Sequence, residues 1–179
     1  RLSKQYNDVA FLSWAKPSSS TPKHINDAAV EAIQRGLTSG YSQAEGLSEL
    51  RELIAEKLKR DNKINAKSSE VIITVGAIEG LAASVMAVID PGDEVILLTP
   101  TYSTHITQVK LASGTPVLVP LNEEAGFDPD FDAIVQSITK KTKAIILCNP
   151  NNPTGTMLSG NQLTTIAKMN ININPYQKH

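Results

Sequence analysis

The fold is decided by residues 71–98, which read VIITVGAIEGLAASVMAVIDPGDEVILL. The β-branched run at residues 71–75 predicts a strand, and the apolar stretch at residues 77–89 predicts a helix. The turn signal Asp90-Pro91-Gly92-Asp93 ends that helix, and residues 94–98 predict the next strand. A strand, a crossover helix and a second strand are typical of a parallel sheet with helices on its faces.

The same alternation continues on both sides of this stretch. Towards the carboxyl terminus, the pattern predicts strands at residues 117–119 and 144–147 and helices at residues 102–112, 130–138 and 159–169. Towards the amino terminus it predicts a helix capped by Thr21, with Pro22 at its first position and Gly36 at its end. A second helix carries an apolar stripe of five residues: Leu47, Leu50, Leu53, Ile54 and Leu58. The sequence therefore predicts an α/β fold of three layers, with a mostly parallel sheet between flanking helices.

The composition excludes several classes of protein. The 179 residues are 41% apolar and carry a net charge of −1, which lacks the basic surplus of a nucleic-acid-binding protein. The single cysteine, Cys148, excludes a disulfide framework and a cysteine-rich zinc site. The longest apolar run, residues 81–89, is too short to span a bilayer, and no leader peptide opens the sequence. We expect a cytoplasmic protein that binds neither nucleic acid nor membranes.

Parallel sheets bind ligands outside the carboxyl ends of their strands, and three loops follow predicted strands there. Gly76-Ala77-Ile78 opens a helix, where backbone N–H groups can bind an anion, although this loop taken alone favours a plain, tight strand-to-helix turn. Pro100-Thr101-Tyr102 places an aromatic ring where it either stacks on a planar ligand or packs as a half-buried tyrosine.

The third loop is the most informative and reads Asn149-Pro150-Asn151-Asn152-Pro153-Thr154-Gly155. Its two Asn-Pro steps restrict the backbone, so the asparagine side chains are held in place to hydrogen-bond a ligand oxygen. No metal site is predicted, because the spacing of His24, His105 and His179 does not suit one, and surface or helix positions explain all three. Cys148 is interpreted as a packing residue at the end of a buried strand.

This third loop resembles the signature loop of fold-type I, pyridoxal-phosphate-dependent aminotransferases of class I/II. Further matches are Ala15-Lys16-Pro17 with Thr21-Pro22, the span from Tyr41 to Gly46, and residues 90–95. They follow the family order from about Val9 to Met169. The resemblance implies an amino-terminal arm with the first helix at residues 1–45 and a partial, cofactor-binding large domain at residues 46–179.

The resemblance also implies pyridoxal 5'-phosphate as cofactor and assigns its contacts. The backbone of Gly76–Ile78 corresponds to the cup for the cofactor phosphate, and Tyr102 to the aromatic residue that stacks on the pyridine ring. Asn152 corresponds to the asparagine that hydrogen-bonds the phenolic oxygen of the ring and lies beside the substrate. Tyr41 corresponds to a tyrosine that reaches the phosphate of the neighbouring subunit in a homodimer. In this family the peptide bonds before Pro100 and Pro153 are often cis.

Two departures from the family pattern bear on activity. Ala15 stands beside the substrate carboxylate where the family commonly has glycine. In the family, the acid that pairs with the ring nitrogen and the lysine that forms a Schiff base with the cofactor lie further along the chain, in an Asp-x-x-Tyr segment and then a Ser-x-x-Lys segment. Neither segment occurs after the asparagine loop here. No catalytic residue is therefore assigned in this chain, which we interpret as the amino-terminal part of an aminotransferase that is inactive alone.

Two alternatives remain open. The chain could be a truncated, catalytically inactive product that keeps only weak cofactor or phosphate binding, or that only pairs with other chains. A different pyridoxal-dependent reaction such as that of a lyase would use the same three loops. In the family reading, the substrates are an amino acid and a 2-oxo acid, the protein is a homodimer, and the isolated chain exposes apolar surface.

Overall fold

The computed structural model describes Val9 and residues 17–169. The chain divides into two units, Arg1–Ala44 and Glu45–His179. In the first unit, helix α1 spans Lys23–Gln34 and is followed by Gly36 at a φ of 71°, the left-handed geometry that commonly ends a helix. Its cap is Pro22, whose ψ of 141° is extended, so α1 begins one residue later than predicted.

The second unit opens with helix α2, Ser48–Lys57, which continues as one π-helical turn over Leu58–Asn62. Of the predicted apolar stripe, Ile54 and Leu58 are half-buried. The other members of the stripe are exposed: Leu47, Leu50 and Leu53. The helix is confirmed, and its apolar face is only partly covered within the described residues.

A parallel sheet of three strands forms the centre of the second unit, in the order β2-β1-β3. The strands are β1 (Glu94–Thr99), β2 (Thr115–Pro120) and β3 (Thr142–Ile146). The helices around them are α3 (Gly76–Val88), α4 (Ser103–Leu111), α5 (Phe131–Gln136) and α6 (Gly160–Ala167). In register, Glu94 of β1 lies beside Thr115 on one side and Thr142 on the other.

The central strand divides the core into two clusters, because successive side chains point to opposite faces of a sheet. On one face, the fully buried Val95 packs with Val85 of α3 and Val109 of α4. On the other face, the fully buried Ile96 packs with Ile134 of α5. Helices therefore cover both faces of a parallel sheet, and the predicted three-layer α/β fold is confirmed.

The strand predicted at residues 71–75 is wrong, because these residues form no strand in the structure. Their β-branched side chains favour an extended backbone, but a strand also needs a partner ladder. The three strands bond to one another in the order given, and within the described residues this segment joins none of them. Its backbone is held instead by contacts outside the sheet, among them the bond from the Ile73 N–H to the Glu45 carbonyl at 2.9 Å and the bond from Arg51 Nε to the Val71 carbonyl at 3.0 Å.

Local capping chemistry sets the starts of the last two helices. The Asp130 carboxylate accepts a hydrogen bond from the Ala133 N–H at 2.9 Å and caps α5. Ser159 and Gln162 form a reciprocal capping box at α6, in which each side chain accepts from the other's backbone N–H. The predicted cap at Ser159 is confirmed.

Candidate functional site

The carboxyl end of the central strand β1 leads directly into Tyr102. The Thr99-Pro100 peptide bond is cis, and Tyr102 is the residue that precedes α4. The Tyr102 ring meets the His105 ring edge-on, with centroids 5.7 Å apart and planes at 82°. Tyr102 stays 38% exposed while His105 is buried beneath it, so His105 lies on a helix as expected but not at the surface.

The loop at residues 149–155 closes on itself through its backbone. The Asn151 N–H donates to the Thr156 carbonyl, and the Gly155 N–H donates to the Asn151 carbonyl, each at 2.8 Å. The peptide bonds before Pro150 and Pro153 are both cis. Two backbone hydrogen bonds therefore join residues at the two ends of the loop.

The three asparagines of this loop have different partners. Asn149 uses its Oδ1 to accept from the Leu158 N–H at 2.8 Å. Asn151 donates from Nδ2 to the Pro100 carbonyl at 3.1 Å and to the Thr154 hydroxyl at 2.8 Å. Asn152 is exposed, and its amide has no hydrogen-bond partner within the described part of the chain. Of the three, Asn152 alone keeps its amide free for a ligand.

The start of α3 presents backbone donors without a side-chain cap. Gly76 is the first residue of the helix and has a φ of 72°, a left-handed conformation that suits glycine. The residue before the helix, Val75, supplies no side-chain cap, the Gly76 N–H donates to the Thr74 carbonyl at 2.9 Å, and Ala77 and Ile78 are exposed. Their N–H groups point out of the helix start, where the helix dipole favours an anion. The Glu79 carboxylate is already engaged, because it accepts a hydrogen bond from the Val75 N–H.

Two amide side chains connect these loops to one another. Gln108 of α4 is buried, and its Nε2 donates to the Ile78 carbonyl at 2.8 Å. Asn151 joins its own loop to Pro100, two residues before Tyr102. Sequence reasoning did not single out either residue, since Gln108 resembles an ordinary polar helix residue and Asn151 cannot be distinguished from its neighbours by pattern.

The space beneath the loops is too small for a ligand. A cavity of about 20 Å³ lies there, lined in part by Leu98, Thr101 and Asn151, and it has room for about one water molecule. Cys148 also lines it, half-buried, with its Sγ donating to the Pro150 carbonyl at 3.3 Å. A ligand of this site would therefore lie on the outer side of the loops.

Two predicted site residues are not part of the three loops. Tyr41 lies in the first unit with a fully exposed side chain. Ala15 lies outside the described residues. Across residues 17–169, no group of three His, Cys, Asp or Glu side chains is arranged to hold a metal ion. No helix in the described ranges combines the length and apolar character needed to cross a bilayer.

The sequence matches the family model described as aminotransferase class I and II over residues 8–173. A probable aspartate/prephenate aminotransferase of Aquifex aeolicus is 39% identical over 161 residues, which cover 90% of this chain and 41% of that protein. The matched region therefore spans about two-fifths of that relative.

Solved structures give the same result. Aspartate aminotransferase from Thermus thermophilus with maleate superposes with a TM-score of 0.87 at 38% identity, covering 94% of this chain and 44% of that one. The aromatic aminotransferase from Pyrococcus horikoshii OT3 gives a TM-score of 0.84 at 39% identity, covering 92% and 44%. The family match, the shared fold and the order of the three loops lead to one conclusion. The chain belongs to the class I and II aminotransferases.

Proposed function

We propose that this chain carries the cofactor-binding loops of a pyridoxal-phosphate-dependent aminotransferase. The whole protein would transfer an amino group between an amino acid and a 2-oxo acid. The observation that carries the proposal is that the three loops leave three complementary groups available: uncapped N–H donors at α3, the exposed ring of Tyr102 and the free amide of Asn152.

The start of α3 fits a phosphate group. A phosphate dianion needs several N–H donors and a positive potential, and both are supplied where a helix begins. Gly76 contributes the left-handed turn into the helix, and a Cβ built on it meets nothing within 4 Å. Ala77 and Ile78 are exposed and carry no polar side chain, and the Glu79 carboxylate at this helix start is engaged by the Val75 N–H.

The other two loops fit a planar, oxygen-bearing ring. Tyr102 would stack on the ring, an interaction worth about 1 kcal/mol beyond the area it buries. Asn152 would donate from its amide to the phenolic oxygen of the ring and would lie close to the substrate. When bound, pyridoxal phosphate supplies an electron sink for the α-carbon of the substrate, and the residues of this chain bind and orient it.

The finer assignments remain part of the proposal. Tyr41 would contact the cofactor phosphate of a second subunit in a homodimer, and Ala15 would lie beside the substrate carboxylate. The division into an arm at residues 1–45 and a partial large domain at residues 46–179 belongs to the same reading. A cytoplasmic location and a catalytic lysine outside this sequence are also part of the proposal. Without that lysine, this chain would be inactive alone.

The direct test is a titration of the purified chain with pyridoxal 5'-phosphate, followed by absorbance or calorimetry. Tyr102→Leu should weaken binding about ten-fold through lost stacking, whereas Tyr102→Phe should retain it. Asn152→Ala should also weaken binding about ten-fold, whereas Asn161→Ala, an exposed asparagine of α6, serves as the matched control. Equal affinities for all four variants would refute the assignment.

Activity and assembly separate the remaining alternatives. We expect no amino-group transfer from amino acids to 2-oxo acids by this chain alone. Borohydride treatment that fixed the cofactor to one particular lysine would contradict that expectation. Saturable cofactor binding without transfer agrees with the aminotransferase part and with an inactive product that keeps cofactor binding, whereas a chain that binds no cofactor supports a product that only pairs with other chains. Sedimentation equilibrium tests the dimer, which a stable monomer at all concentrations would exclude.

A further inference from the structure

We propose that Gln108 and Asn151 are positioning residues that align the two halves of the cofactor site. Gln108 would fix the phosphate half, and Asn151 would fix the ring half. This inference rests on the proposed function, because it assigns each amide to one part of the same ligand. Neither side chain would touch the ligand itself.

Gln108 holds the phosphate half through the Ile78 carbonyl. Its side chain is 5% exposed, and its Nε2 lies 2.8 Å from that oxygen. The bond joins α4 to the first turn of α3, where the N–H donors lie. The Oε1 of Gln108 is buried and has no partner within the described residues. A buried unpaired oxygen costs free energy, so an apolar residue would serve packing better than this amide does.

Asn151 holds the ring half through the Pro100 carbonyl. The two residues are 51 positions apart, and the bond is 3.1 Å long. Asn151 precedes Asn152 directly, and Pro100 lies two residues before Tyr102. A single amide therefore fixes the distance between the stacking ring and the hydrogen-bonding amide. The second bond of Asn151, to Thr154 at 2.8 Å, keeps its own side chain oriented.

The two amides act on different parts of the ligand, which makes their roles separable. Gln108 contacts the loop that would bind phosphate, and Asn151 contacts the loops that would bind the ring. Loss of a neutral hydrogen bond of this kind is expected to change affinity about three- to ten-fold. A purely structural role would instead weaken every ligand to the same extent.

The experiment measures the affinities of the full 179-residue chain for pyridoxal 5'-phosphate, pyridoxal and inorganic phosphate. Gln108→Met keeps the length of the side chain but loses the donor. It should lower the affinity for pyridoxal phosphate and for inorganic phosphate and leave the affinity for pyridoxal unchanged. Asn151→Asp should lower the affinity for pyridoxal phosphate and for pyridoxal and leave the affinity for inorganic phosphate unchanged. Asn149→Asp is the matched control, because it adds the same charge to the same loop and keeps the bond from the Leu158 N–H, losing only the 3.4 Å bond from Nδ2 to the Leu158 carbonyl.

A second readout needs no ligand. The 15N shift of a backbone amide responds to hydrogen bonding at the preceding carbonyl, so Asn151→Asp should move the Thr101 resonance. Gln108→Met should move that of Glu79, and Asn149→Asp should move neither. Unmoved resonances, or two variants that weaken all three ligands equally, would overturn the positioning role. A wild-type chain that binds none of the three ligands would instead overturn the proposed function, and the positioning role with it.

Discussion

Replacing Gly46 by alanine should destabilise the second unit by about 3 kcal/mol, because this glycine lies against Ile73 in a left-handed conformation. Its φ is 97°. A Cβ built on Gly46 would overlap the Cγ1 of Ile73 and lie 2.7 Å from its Cβ. A rotation about the Cα–Cβ bond of Ile73 could move its Cγ1, but its Cβ is fixed by the backbone and cannot move away. The adjoining hydrogen bond from Ile73 to Glu45 holds the two segments together at this point.

The magnitude follows from three contributions. A left-handed conformation costs an alanine about 1–2 kcal/mol, and overpacking adds about 1–3 kcal/mol. Alanine also restricts the unfolded chain, and this offsets about 0.4–1 kcal/mol of the loss in stability. Gly92 provides the matched control, since its φ of 91° is similar and a Cβ there meets nothing within 4 Å. Gly92→Ala should therefore cost only about 1 kcal/mol, the conformational part.

Urea unfolding followed by far-UV circular dichroism measures the difference. With a slope of about 2 kcal/mol/M, the midpoint of Gly46→Ala should fall about 1 M below that of Gly92→Ala. Adding Ile73→Ala to Gly46→Ala removes the γ carbons and should recover part of this loss. Equal midpoints for the two single variants would refute the close approach of Gly46 and Ile73.

Three further outcomes are expected in the same unfolding assay. Ile134→Ala should lower the free energy of unfolding by about 3 kcal/mol, because the Ile134 side chain is fully buried. Val135→Ala in the same helix should cost well under about 1 kcal/mol, because Val135 is exposed. Similar losses for the two variants would contradict the two-sided core. Ser159→Ala should cost about 1 kcal/mol by removing the cap of α6, and no loss would mean that the capping box adds nothing. The hydrogen bond from Arg60 lowers the pKa of the Asp61 carboxyl, which favours the folded state above the ordinary carboxyl pKa. Wild type should therefore lose slightly more stability than Asp61→Asn as the pH falls through that lowered pKa, and a larger loss in the variant would show the opposite sign.

Elements with local signals could be predicted from the sequence. The strand at residues 94–98, the turn at residues 90–93 and the cap at Ser159 each depend on neighbours within a few positions. The segment at residues 71–75 has the same β-branched composition as a strand, yet it forms none. Its outcome depends on which backbone lies beside it, and local sequence does not contain that information.

In the candidate site, too, features set by neighbouring residues could be predicted, whereas contacts between distant parts of the chain could not. The proline spacing of residues 149–155 predicts a restricted loop, and in the structure two backbone hydrogen bonds close this loop. The loop's own residues do not show which asparagine lacks a partner, and only the family resemblance points to Asn152; the partner of Asn151 is a carbonyl 51 residues away. The burial of His105 and Gln108 likewise depends on how α4 packs, and a polar residue in a helix gives no sign of it in advance.

Cys148 can serve as a chemical reporter of the asparagine loop without any substitution in the protein. It is the only thiol in the sequence, and it follows β3 immediately before the asparagine loop. Its hydrogen bond to the Pro150 carbonyl restrains the sulfur, so its rate of alkylation measures how often that loop opens. Ligand binding to the loop would slow this labelling, and each candidate ligand could be ranked by the protection it gives.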